Sequence, residues 1–142
     1  MLRRALAPLT GLAMAGLIAG ASPAGADVET FTVRLTGSQE APNPGDPDAA
    51  GFARVTVDTA SNRICFVLQV SGMAPATAAH IHEAPPGVAG PVVQPLRPPT
   101  NGRSAGCLTS SEADDIAADP GDYYVNVHNS QFPSGAVRGQ LA

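Results

Sequence analysis

The chain of 142 residues contains no tryptophan, and all eight of its basic residues are arginines, so lysine is missing as well. Twelve acidic residues leave a formal net charge of −4. An acidic chain without a basic stripe argues against nucleic acid and against anionic membranes as partners. Aromatic residues are scarce, at four phenylalanines and two tyrosines. The core must therefore come from Val, Leu, Ile and Ala, with Phe31, Phe66 and Tyr123 in support. Beyond residue 26 no apolar run approaches the roughly 20 residues of a membrane span, so no span is expected in the mature chain. Neither cysteine lies in a C-x-x-C pair, which removes the usual redox motif and the zinc knuckle. There is no G-x-S-x-G elbow, and no Ser, His and Asp stand in a recognisable arrangement. Gly87 to Gly90 lacks the lysine and following helix of a phosphate loop. No internal repeat is visible.

What is present begins with a leader. Arg3 and Arg4 precede a mostly apolar run from Ala5 through Ala19, and Ala24-Gly25-Ala26 forms a small-x-small cleavage pattern. Residues 1–26 read as a secretory signal peptide. That leaves residues 27–142 as one domain, secreted to the exterior or the cell envelope (the periplasm of a Gram-negative cell). The two cysteines, Cys65 and Cys107, both fall in the exported part. An even count in an oxidising compartment predicts a disulfide between them.

The mature chain alternates short strand patterns with Gly/Pro turns. Phe31, Val33 and Leu35 alternate with polar residues over Glu29 to Gly37. Ala53, Val55 and Val57 mark a second strand, Phe52 to Asp58, and Ile64, Phe66, Leu68 and Val70 a third, Arg63 to Ser71. The second and third should form a hairpin. Cys65 and Val67 make the third apolar on its other face too, which predicts a central position. Further strands are expected at Thr77 to Glu83, at Asp122 to His128 and at Ala136 to Leu141; Val92 to Leu96 reads as an edge or irregular piece because of Pro95, and Cys107 to Thr109 as a short strand or a pinned loop. Arg97 to Gly106 reads as exposed and mobile. Ser110 or Ser111 would cap a short helix near 111–118, stopped by Pro120. Asp114 and Asp115 would be solvated charge in its first turns rather than a catalytic pair. These patterns predict an all-β protein, an antiparallel Greek-key β-sandwich with one short helix.

The chemistry concentrates in the histidines. All three lie in strand patterns: Ala79-His80-Ile81-His82 and Asn126-Val127-His128. In a strand, side chains i and i+2 share a face about 7 Å apart, so His80 and His82 project together. Imidazoles suit copper and zinc, and His128 from a neighbouring strand would complete a three-histidine face for one such ion. Water, Glu83 or Glu40 could be a fourth ligand. The structural alternative is that the rings pin loop carbonyls. Gln39-Glu40 has the same two readings, as an outer partner of the histidines or as a pin for the Pro-rich loop, with Arg138 available to pair with Glu40. Tyr123-Tyr124 reads as half core and half surface.

Four segments in order carry a family resemblance. They are Leu35-Thr36-Gly37-Ser38-Gln39-Glu40-Ala41-Pro42; Ala78-Ala79-His80-Ile81-His82 with Gly87-Val88-Ala89-Gly90-Pro91-Val92-Val93; Gly121-Asp122-Tyr123-Tyr124-Val125-Asn126-Val127-His128; and Phe132-Pro133-Ser134-Gly135-Ala136-Val137-Arg138-Gly139-Gln140-Leu141. Together they resemble the CHRD domain, the module named after chordin. Ala41 departs from the valine more usual there. The resemblance implies an all-β extracellular module with a non-enzymatic binding or structural role, its partner an unknown extracellular protein or surface ligand. Chordin's growth-factor binding does not carry over, because none of its other modules is present. A looser resemblance is to the copper/zinc superoxide dismutase sandwich, which also sets a His-x-His pair on a strand before a Gly/Pro-rich loop. It implies the alternative, a dismutase-like redox metalloenzyme. Three histidines are too few for that family's two-metal centre.

Overall fold

The computed structural model describes residues 27–142, and the predicted signal peptide lies outside them. Eight strands follow: β1 (Val28–Thr36), β2 (Ala50–Asp58), β3 (Arg63–Ser71), β4 (Ala76–Glu83), β5 (Val92–Leu96), β6 (Arg103–Thr109), β7 (Tyr123–Asn129) and β8 (Val137–Gln140). One helix, α1 (Ala113–Ala118), lies between β6 and β7. All strand pairs are antiparallel.

The sequence period sets the pairing. Ala53, Val55 and Val57 on β2 and Ile64 and Leu68 on β3 have no exposure at all. A slip of one residue would turn these side chains to solvent, so burial fixes the register. The ladder runs from Ala50↔Ser71 to Asp58↔Arg63. Its turn has local chemistry to match. Asp58 accepts from the Ser61 amide and hydroxyl at 3.3 and 2.8 Å, and Asn62 takes the left-handed conformation at φ 50°, which asparagine tolerates best among residues with a Cβ.

The strands form one continuous sheet in the order β5-β4-β7-β8-β1-β2-β3-β6. This corrects the expectation of two separate sandwich sheets. The physical cause is the β8–β1 join, where Thr36 pairs with Arg138 and bridges what would otherwise be two four-stranded layers. The sheet cannot be flat. Eight strands laid side by side span about 34 Å, yet β5 and β6, its two edges, are linked by residues 97–102 alone, which reach about 25 Å at full extension. The β3–β4 link, residues 72–75, makes the same demand. The sheet therefore curls until it nearly closes around a single core of Leu35, Val55, Leu68, Ile81, Val125, Val127 and Val137, with Phe66 and Tyr123 included. Each such side chain, fully buried, contributes about 1.5–3 kcal/mol.

Two further expectations need correction. β3 is not central but next to the β6 edge. Its second apolar face exists because Cys65 stands directly opposite Cys107, and the two form a disulfide with Cα atoms 4.0 Å apart. And β6 begins at Arg103, inside the stretch expected to be mobile. β3 offers ladder partners as far as Gln69↔Arg103, and the buried Ser104 hydroxyl donates to Arg97 O at 2.7 Å. The edge position of β5, with Pro95 in it, is as expected. On α1, Ser110 Oγ accepts from the Glu112 amide at 3.3 Å. Ala113 and Ile116 reach the core, while Asp114 and Asp115 stay exposed in the first turn.

Candidate metal centre

β4 and β7 are neighbours with opposite pleats in register. Ala79 and Ile81 on β4, and Tyr123, Val125 and Val127 on β7, turn inward to the core. His80 and His82, and Tyr124, Asn126 and His128, turn outward. His82 stands opposite Tyr124, His80 opposite Asn126, and Ala78 opposite His128. Period two thus gathers all three histidines on one outer face. That face is not surface. His82, Tyr124 and Asn126 are 8%, 3% and 2% exposed, because the loops at residues 84–91, 40–49 and 130–136 fold over it. The Tyr123-Tyr124 pair, read as half core and half surface, is buried at both residues, Tyr123 in the core and Tyr124 under these loops.

The loop over the site is held by its own carbonyl groups, drawn inward. Arg138, 1% exposed, donates to Val88 O at 2.7 Å and Pro85 O at 3.0 Å. Gln140 Nε2 donates to Ala84 O and Gly121 O, both at 2.7 Å. The Arg138 guanidinium carbon lies 3.4 Å from the centre of the Tyr124 ring, a cation–π contact made stronger by exclusion of water. The His82 ring stacks on the same tyrosine, centroids 4.8 Å apart and planes within 6°. The Tyr124 hydroxyl accepts from the Gly90 amide at 3.1 Å. Gly90 is required at its position, since a Cβ there would collide with the Glu83 carbonyl.

These contacts fix the state of each ring. His82 Nδ1 is 2.9 Å from Gly90 O, and His128 Nδ1 is 3.0 Å from Pro133 O. A carbonyl only accepts, so both Nδ1 atoms carry the proton and both Nε2 atoms present a lone pair. His82 Nε2 is buried with no partner at all. His128 Nε2 faces His80 Nδ1 at 3.1 Å. One ligand atom from each ring can be chosen so that all three lie within 4.8 Å of one another. A point therefore exists within about 2.8 Å of all three, less than 1 Å of closure from the 2.0–2.1 Å of a zinc–nitrogen bond. Burial, then the neighbouring His128 and His82, push the His80 imidazole below its usual pKa. Burial and His82 do the same to His128, outweighing the Pro133 hydrogen bond. Rings kept neutral at pH 7 are what a cation needs. The donor set, the locked tautomers and the orphaned lone pair all fit a first-row transition ion.

Of the other candidates, Glu83 is exposed on the opposite side, among Glu112, Asp115, Asp119 and Asp122, and is not with the histidines. Glu40 is buried at 8% exposure. Burial pushes its carboxyl up to about 7, against the Arg138 charge and the nearby Asn126 amide, both of which lower it, and its Oε1 is buried without a hydrogen-bond partner. It packs so tightly on Gly135 that a Cβ there would strike the carboxyl group. Sequence reasoning placed Asn126 on the histidine face but gave it no role, and it read Arg138 as a partner for Glu40 only. The i, i+2 period of β7 carried the first signal. No local signal carried the loop carbonyls that Arg138 binds.

The CHRD domain family matches residues 31–141. The chain belongs to the CHRD family. No curated protein and no solved structure matches it. Among the described residues of this CHRD domain, no helix is long and apolar enough to cross a membrane.

Proposed function

We propose that this CHRD domain is a non-enzymatic module, exported to the cell envelope or exterior, that holds one transition-metal ion, copper or zinc, at His80, His82 and His128. The observation that carries the reading is His82 Nε2, a buried lone pair without a partner on a ring whose other nitrogen is committed to Gly90 O. An unsatisfied buried acceptor costs about 1–3 kcal/mol, and an ion at that position would remove the cost. The leader-like residues 1–26 and the Cys65–Cys107 disulfide support an oxidising destination.

The test is elemental analysis and calorimetric titration of untagged protein with Cu(II) and Zn(II). One equivalent should bind, and the His80→Ala, His82→Ala double variant should bind none stoichiometrically. No stoichiometric uptake by the native chain, or an unchanged titration in the variant, refutes the proposal. The competing reading, a dismutase-like redox enzyme, uses the same three rings and is distinguished by turnover of superoxide by the copper-loaded protein.

A further inference from the structure

The three nitrogens do not exhaust the electron pairs that meet in this pocket. Asn126 Oδ1 lies 3.0 Å from His128 Nε2. Because His128 Nδ1 holds its proton against Pro133 O, its Nε2 is an acceptor, and so is an amide oxygen. Two acceptors at that distance repel unless something positive lies between them. In the metal-free arrangement one hydrogen is available, on His80 Nδ1, which faces His128 Nε2 at 3.1 Å. That proton serves His128 Nε2 and leaves Asn126 Oδ1 turned toward another acceptor, while the lone pair on His82 Nε2 has nothing.

The alternative is to turn the amide over, so that Asn126 donates to His128. Glu40 opposes this. Its carboxyl is buried, feels both the Arg138 charge and the Asn126 amide, and has an Oε1 without a hydrogen-bond partner. In its ionised form the carboxylate can only accept, which favours the N–H end of the amide on its side and leaves the oxygen facing the rings. Gly135, packed on the Glu40 carboxyl without room for a side chain, keeps that group in place. The distances also suit a coordination shell. Donors 2.0–2.1 Å from one ion are about 2.9 Å apart at a right angle and about 3.4 Å apart at the tetrahedral angle. The 3.0 Å from Asn126 Oδ1 to His128 Nε2 and the 3.1 Å from His128 Nε2 to His80 Nδ1 fall in that interval.

We infer that Asn126 is a fourth ligand of the site, through Oδ1, and that Glu40 is a positioning residue that holds the amide oxygen toward the ion. The site is then three imidazole nitrogens, His80 through Nδ1 once its proton has moved to Nε2 of the same ring, and His82 and His128 through Nε2, with one neutral oxygen. Neither Glu83 nor Glu40 binds the ion itself. This rests on the metal reading above and goes beyond it in the identity of the fourth donor.

The experiment compares native protein with Asn126→Asp, Asn126→Leu and Glu40→Gln, using Cu(II) for electron paramagnetic resonance and Zn(II) for calorimetry, with circular dichroism to report folding. Asn126→Asp keeps the shape and makes the oxygen anionic. It should bind at least about tenfold more tightly and shift the copper hyperfine splitting. Asn126→Leu should bind at least about tenfold more weakly. In Glu40→Gln the partner amide can meet Asn126 in either orientation, so two copper signals should replace one. Native affinity and native spectra in a folded Asn126→Asp protein overturn the inference while leaving the three-histidine site standing, and this holds even if Asn126→Leu does not fold. A single native-like signal in Glu40→Gln removes the positioning role. Failure of the native chain to take up any equivalent instead sinks the underlying metal proposal.

Discussion

Glu40 is a carboxyl group placed where its charge is costly. The folded pKa stands at about 7, against 4.5 for the unperturbed group, with burial as the main cause. A raised pKa means that the folded state binds the proton more tightly than the unfolded one. The associated stability is complete below about pH 4.5 and is lost as pH rises through 7. Glutamine has no such dependence. In metal-free protein, the stability of Glu40→Gln relative to native should therefore grow between pH 4.5 and 7 and level off above, by up to about 3 kcal/mol. Denaturant midpoints at pH 5, 6, 7 and 8 read this directly, and a difference independent of pH contradicts it. His80 and His128 have the opposite slope. Their depressed pKa values make the unfolded state the better proton binder, so their contribution falls as pH drops through about 6.5. The two trends overlap, which is why the variant comparison, and not the native curve alone, isolates Glu40.

At the level of elements, the covering loop depends on β8. Arg138→Met keeps an unbranched side chain but strands Val88 O and Pro85 O without their donor. A fully buried orphan costs about 1–3 kcal/mol; these bonds are partly buried and their carbonyls belong to exposed loop residues, so each costs toward the lower end, and the contact with Tyr124 is lost as well. We expect about 2 kcal/mol of destabilisation, with amide exchange faster at Val88 and Gly90 than in β2 or β3. Equal acceleration everywhere would show that the loop is not a separate unit. The strands themselves were legible in the sequence, since Val55, Val57, Ile64, Leu68 and Val125 obey a period of two that one buried face imposes. So was the gathering of His80, His82 and His128 on the other face. Of β6 only Cys107 to Thr109 was, because Arg103, Ser104 and Gly106 have weak strand preference and become strand only because β3 needs a partner. Nor could alternation alone show that the outer face of β4 and β7 is buried. The cover comes from loops, and their attachment is through main-chain carbonyls, which have no signature in side-chain pattern.

For the whole molecule, the disulfide and the curled sheet act on the same problem, the ordering of distant segments. Cys65 and Cys107 are 42 residues apart, and the loop-entropy relation assigns about 4 kcal/mol to closing a loop of that length. Replacing both with alanine should lower unfolding stability by a figure of that size while leaving metal stoichiometry at one, since the pair lies on β3 and β6, away from the histidines. Loss of metal binding in a folded double-alanine protein would contradict this. The order of the chain has a last consequence. His80 and His128 touch across a separation of 48 residues, and β5, β6 and α1 are all threaded between them. An unfolded chain offers an ion only the bare His80-x-His82 pair. On the metal proposal, the three rings meet only after the whole intervening path has been laid down, so the ion would be loaded onto a finished protein rather than guide its assembly.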